Sequence, residues 1–124
     1  MIRAVILTHG TLGQELMAGV QGVLGPQADV TVLSNNGMSL DQIIQAAQST
    51  LSGDSLIFFV DFCGGSPYVA CKTLQQVHPE CAIISGVNMP MLFSFFTKRN
   101  QLPFKELAEI VESDAHRGIQ RISS

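Results

Sequence analysis

Apolar positions along the chain alternate between two periods. Ile2 to Leu7 is β-branched and apolar and reads as a buried strand. Leu12, Leu16, Val20 and Val23 with Leu24 then recur at helical spacing, and Gly25-Pro26 stops that helix. Val30 to Leu33 is a short second strand, and Ser34 to Gly37 is a turn cluster. Ser39 and Gln42 have capping-box spacing, and Leu40, Ile43, Ile44, Ala47 and Leu51 follow on one helical face. Leu56 to Val60 is the strongest strand signal, apolar on both faces as a central parallel strand should be. Ser66-Pro67 fits an N-cap and first helical position, and that helix runs to about Val77. Cys81 to Ser85 is a fourth strand. Gly86 to Pro90 turns into a helix through about Thr97, Asn100 to Pro103 is a loop, and Phe104 to about Ser113 is a further helix. Gly118 to Ile122 is weakly apolar and is expected as a short edge strand, antiparallel or exchanged with a second subunit.

Strand and helix alternate at short spacing with no linker, repeat or low-complexity tract. The pattern predicts a single α/β domain over residues 1–124, doubly wound, with a mostly parallel sheet in the order 2-1-3-4. Composition adds three points. At 124 residues and 46% hydrophobic, the chain can bury a core unaided. Only 14% of residues are charged, against about a quarter in typical globular chains, which favours an oligomer or a docking partner. The formal charge of −3 and the lack of a basic cluster argue against nucleic-acid binding. No apolar run approaches the roughly 18 residues of a membrane span, and no signal-peptide pattern opens the chain, so a cytoplasmic location is expected. Cys63, Cys71 and Cys81 form no CxxC motif and read as reduced small hydrophobes.

Ligands of such sheets bind beyond the carboxyl ends of the strands, where strand order reverses. In the order 2-1-3-4, His9 after the first strand and Asp61 after the third would lie side by side. A neutral imidazole is a nucleophile, and a carboxylate on its other nitrogen fixes the tautomer and stabilises the cation formed on phosphorylation. Helix N-termini nearby suit a phosphoryl group. Gly10, Gly64 and Gly65 allow close backbone approach, and the hydroxyls of Thr8, Thr11 and Ser66 are candidate donors. Each feature alone has an ordinary reading as a strand-end histidine, a turn aspartate or a glycine turn. Their convergence on one edge is what points to chemistry. His78 and Cys81 sit on the opposite edge and read as structural, and His116 as solvated. No arginine follows Cys63, which disfavours a cysteine phosphatase, and neither GxGxxG nor a P-loop is present. The site is expected to need neither metal nor cofactor.

Thr8-His9-Gly10, Asp61 followed by Gly64-Gly65-Ser66-Pro67, and Gly86-Val87-Asn88-Met89-Pro90-Met91 together resemble the IIA domain of the mannose-family sugar phosphotransferase system. The resemblance covers essentially the whole chain. It implies that a phosphoryl group passes from the phosphocarrier HPr to His9 and on to a IIB component. It places Asp61 on the histidine and Ser66 near the phosphoryl group. It also implies a homodimer that exchanges C-terminal strands, with contact to the IIC and IID membrane components peripheral at most. Phe62 and Cys63 depart from the polar and large aromatic residues of better-known members, which alters the rim that meets partners. A stand-alone module whose phosphorylation state controls a binding partner is the alternative. The phosphotransferase subunit of dihydroxyacetone kinase has a similar histidine but is disfavoured by the last two blocks. A response-regulator receiver would need carboxylates where Thr8-His9-Gly10 stands.

Overall fold

In the computed structural model, which describes residues 1–123, the elements run β1 (Arg3–Thr8), α1 (Leu12–Leu24), β2 (Val30–Ser34), α2 (Leu40–Gln48), β3 (Leu56–Val60), α3 (Ser66–Val77), β4 (Ala82–Ser85), α4 (Met89–Lys98) and α5 (Phe104–Arg117). The four strands form one parallel sheet in the order β2-β1-β3-β4, as the alternation of periods predicts. Side chains alternate across a strand, so β1 divides its apolar residues between two cores. Ala4 and Ile6, with Ile57 and Phe59 of β3, pack against α1, α4 and α5. Val5 and Leu7, with Leu56, Phe58 and Val60, pack against α2 and α3. Phe58 and Phe59 are fully buried, and burial of each such ring contributes about 1.5–3 kcal/mol.

Register decides where the polar ends fall. Leu7 pairs with Leu33 on one side and with Val60 on the other. The residues after β1 therefore emerge beside those after β2 and β3.

Local signals explain most element ends. Ser39 and Gln42 form the expected capping box, at 3.2 and 2.9 Å. Gly65, not Ser66, is the N-cap of α3, so Ser66 is the first helical residue and Pro67 the second. This frees the Ser66 hydroxyl from a capping role.

The C-terminal region departs from expectation. α5 extends through Arg117, because Leu107, Val111 and Ala115 continue its buried stripe at i, i+4 spacing. Polar residues between them obscure that stripe in the sequence. Asp114 fastens this last turn: Ser94 Oγ donates to Oδ2 at 2.6 Å, and Lys98 and Arg117 also pair with the carboxylate. Lys98, then Ser94, hold its carboxyl well below the usual carboxylate range against the opposing push of burial. Among the described residues no fifth strand forms. Gly118 to Ile122 leaves α5 unpaired, with Ile119 and Ile122 77% and 83% exposed. A strand needs a neighbour to satisfy its backbone, and within the single chain the tail meets none.

Candidate functional site

His9 and Asp61 meet at the carboxyl edge, joined by two hydrogen bonds to one oxygen. The His9 backbone N–H donates to Asp61 Oδ2 at 2.9 Å, and His9 Nδ1 lies 2.8 Å from the same atom. The backbone N–H of Phe62 donates to Oδ1 at 3.2 Å. Burial pushes the Asp61 carboxyl up, but these donors and the His9 charge outweigh it and leave the pKa below its ordinary value. Asp61 is thus a fixed carboxylate tied to β1 by backbone as well as by side chain. A carboxylate accepts from Nδ1–H, which leaves Nε2 with the lone pair. The histidine side chain is 41% exposed, so a docked protein can reach it.

The faces of the ring are also controlled. Phe62 stacks on the imidazole, with centroids 5.0 Å apart and planes 19° apart. Gly65 adjoins both rings. A Cβ there would lie 2.8 Å from His9 Cε1 and 2.8 Å from Phe62 Cζ, too close to be tolerated without movement. Gly65 has ordinary backbone angles and is required for space, whereas Gly64, at φ 93°, needs the conformational freedom of glycine.

The two neighbouring helix starts differ. At α1, the Gly13 N–H donates to Thr8 Oγ1 at 2.8 Å and the Gly10 N–H donates to Asn35 Oδ1 at 3.2 Å. Those amides are already engaged. At α3, Gly65 caps without a side chain, so the first-turn amides beginning at Ser66 lack a side-chain acceptor. An anion beside His9 would be met by the α3 start, with its dipole and the Ser66 hydroxyl.

The structure brings His9, Asp61, Gly10, Gly64, Gly65 and Ser66 to one edge. Thr8 belongs below it. This residue is fully buried, and its hydroxyl accepts from Gly13, so it secures α1 instead of facing an anion. Thr11 is exposed at the start of α1, and its side chain makes no capping bond. Sequence reading missed Asn35, whose Nδ2 donates to Ser66 Oγ at 3.4 Å while Oδ1 holds Gly10. Its signal was a polar residue at the end of the strand expected beside β1. Cys63 Sγ lies 2.9 Å from Ser85 Oγ, linking the ends of β3 and β4.

Residues 3–112 match the family model described as PTS system fructose IIA component, where PTS denotes the phosphotransferase system. The chain belongs to this IIA family. It is 29% identical over 129 residues to the PTS system mannose-specific EIIAB component of Escherichia coli K12, covering 99% of this chain and 40% of that protein. It therefore spans about two-fifths of the mannose-specific relatives it matches. The PTS system sorbose-specific EIIA component of Klebsiella pneumoniae is 24% identical over 118 residues, covering 93% of this chain and 87% of that one. The crystal structure of phosphotransferase system component EIIA from Streptococcus agalactiae superposes with a TM-score of 0.93 at 23% identity, covering 98% and 97% of the two chains, which shows the shared fold. No helix among the described residues of this IIA family member is long and apolar enough to cross a membrane.

Proposed function

We propose that residues 1–124 form one phosphoryl relay domain of a sugar phosphotransferase system, working through a phosphohistidine at His9 Nε2. The observation that carries this reading is the 2.8 Å contact between Nδ1 and Asp61, which leaves Nε2 as the nucleophile on an exposed edge. In the forward step Nε2 attacks phosphorus in line. An Nε2–P bond forms as the N–P bond of the donor phosphohistidine, carried by HPr, breaks. The electron pair of that bond stays on the donor imidazole. The Nδ1 proton remains in its bond to Asp61, which stabilises the cationic phosphoimidazole. The open first turn of α3, Gly64 and Ser66 would hold the phosphoryl oxygens, with Gly10 and Thr11 at the rim. Positioning and fixed dipoles carry the catalysis. Transfer to a IIB component repeats the displacement with roles reversed. The protein would act in the cytoplasm as a homodimer, touching IIC and IID only peripherally.

Incubation with phosphoenolpyruvate, the general phosphotransferase enzyme and HPr should label the protein on His9. His9→Ala should remain unlabelled while keeping its fold. Label retained by His9→Ala would refute the proposal.

A further inference from the structure

Asp61 holds the edge of the His9 ring, and Phe62 covers one of its faces. The planes are 19° apart and the centroids 5.0 Å apart, so the imidazole lies over the phenyl ring instead of meeting its edge. Aromatic pairs at that separation attract each other, and the face of a phenyl ring is the negative part of its quadrupole. A positive group over that face is held more firmly than a neutral one, out to about 6 Å from the centroid.

Two independent features keep Phe62 in this place. Its backbone N–H donates to Asp61 Oδ1 at 3.2 Å, while the other oxygen of that carboxylate holds His9 Nδ1 at 2.8 Å. One fixed carboxylate therefore sets the position of both residues. Gly65 supplies the room. A Cβ there would lie 2.8 Å from His9 Cε1, 2.8 Å from Phe62 Cζ and 3.1 Å from Phe62 Cε2. Burial in the core does not explain the place of Phe62, because it is 52% exposed. What its ring covers is the imidazole.

Phosphorylation changes the charge of the ring that Phe62 covers. Nε2 gives its electron pair to phosphorus, the electron pair of the donor N–P bond returns to the donor imidazole, and the proton on Nδ1 stays. The His9 ring thereby goes from neutral to cationic. Stacking common to both states cancels, and only the part that grows with charge shifts the equilibrium.

We propose that Phe62 makes His9 a stronger phosphoryl acceptor, its ring face supporting the positive charge that the imidazole gains on phosphorylation. This rests on the reading of His9 as the phosphoryl carrier. Asp61 balances that charge from the edge of the ring, and Phe62 supports it from the face. Phe62 is thus a positioning residue that acts through His9. Both residues are partly open to water, which places the effect at the lower end for such contacts, about two- to fivefold in the equilibrium constant.

The equilibrium between phospho-HPr and the phosphorylated protein tests the proposal. An exposed apolar ring beside the site could instead dock HPr. Docking changes rates, however, and leaves the constant between separated reactants and products as it was. Known amounts of protein and phospho-HPr are mixed and quenched at equilibrium, and the free and phosphorylated forms of each are quantified, with mass mapping to place the phosphate. Phe62→Leu keeps an apolar side chain without the ring face and should lower the constant about two- to fivefold. Phe62→Tyr keeps the ring face and should retain the wild-type value. By NMR, the His9 ring protons of wild type and Phe62→Tyr should resonate upfield of those in Phe62→Leu, because they lie over an aromatic face. An unchanged constant in Phe62→Leu would overturn the proposal, and a higher HPr concentration for half-maximal rate with that constant unchanged would make Phe62 a docking residue. An equal fall in Phe62→Tyr would also overturn it, as would His9 ring protons at one position in wild type and both variants. In each of these cases phosphate mapped to His9 leaves the relay standing, whereas absence of phosphate from His9 sinks relay and proposal together.

Discussion

Asp61–Pro67 and Gly86–Met91 leave the same edge of the sheet, after the neighbouring strands β3 and β4, and both run into a helix with proline in its first turn. They use their polar groups in opposite ways. In the first block the carboxylate fixes a ring from another strand, and the helix start stays open. In the second, the asparagine and its neighbouring amides close on the fold. Val87 N–H donates to Val60 O at 3.0 Å, and Asn88 Oδ1 accepts from Met91 N–H at 2.9 Å. Asn88 Nδ2 donates to Ala115 O at 3.3 Å, which ties α4 to the end of α5. A Cβ on Gly118 would lie 2.4 Å from Pro90 Cγ, so the chain leaving α5 is pressed against the same block. Two sequence blocks of similar specificity thus do different work: the first leaves groups available for a ligand, and the second commits its asparagine to the fold.

Substitutions should separate the two. The largest effect is expected for Asp61→Asn. The ring loses its anionic partner and its fixed tautomer, so phosphoryl transfer measured by quench flow should slow on the order of 10²-fold with the melting temperature little changed. Unchanged transfer would show that Asp61 does not orient the ring. Asn88→Ala should do the reverse. Losing the cap and the Ala115 bond costs about 2 kcal/mol in a denaturant titration, while labelling at saturation stays at wild-type level. A relay defect in folded Asn88→Ala would place the second block in the chemistry after all.

Gly65→Ala comes next. The added methyl must displace His9 or Phe62, and transfer should fall on the order of tenfold, with recovery if Phe62→Ala is added to make room. Failure of the double variant to recover would point to His9 as the group that moves. The smallest effect is in acid. The pKa of Asp61 is lowered in the folded state, so its contribution to stability is present above the ordinary value of 3.8 and lost as pH falls through the folded value. The acid limb of wild-type unfolding, followed by circular dichroism, should therefore be steeper than that of Asp61→Asn. Identical limbs would mean that the carboxylate gains nothing from His9.

Strand order and the meeting of His9 with Asp61 were legible in the sequence, because they follow from period, length and the switch in strand order. Apolar runs such as Leu56–Val60 admit one reading in an alternating pattern. The rest depended on which polar group reaches which. Thr8 reads like a rim hydroxyl until Gly13 claims it from inside. Asn35 reads like a turn residue until register places it between Gly10 and Ser66. Ser66 looks like an N-cap because serine before proline favours that position, yet Gly65 takes it where His9 and Phe62 leave no room for a side chain. The end of α5 was placed too early because its buried stripe continues under Glu112 to Arg117, where polar residues hide it.

The central claim is that Asp61 holds Nδ1 so that His9 reacts through Nε2. Protein carrying ¹⁵N-labelled histidine, phosphorylated with phosphoenolpyruvate, the general phosphotransferase enzyme and HPr, tests it directly by NMR. The account predicts phosphorus coupling to Nε2 of His9 with the proton still on Nδ1. Phosphate on Nδ1, or on a residue other than His9, would contradict it.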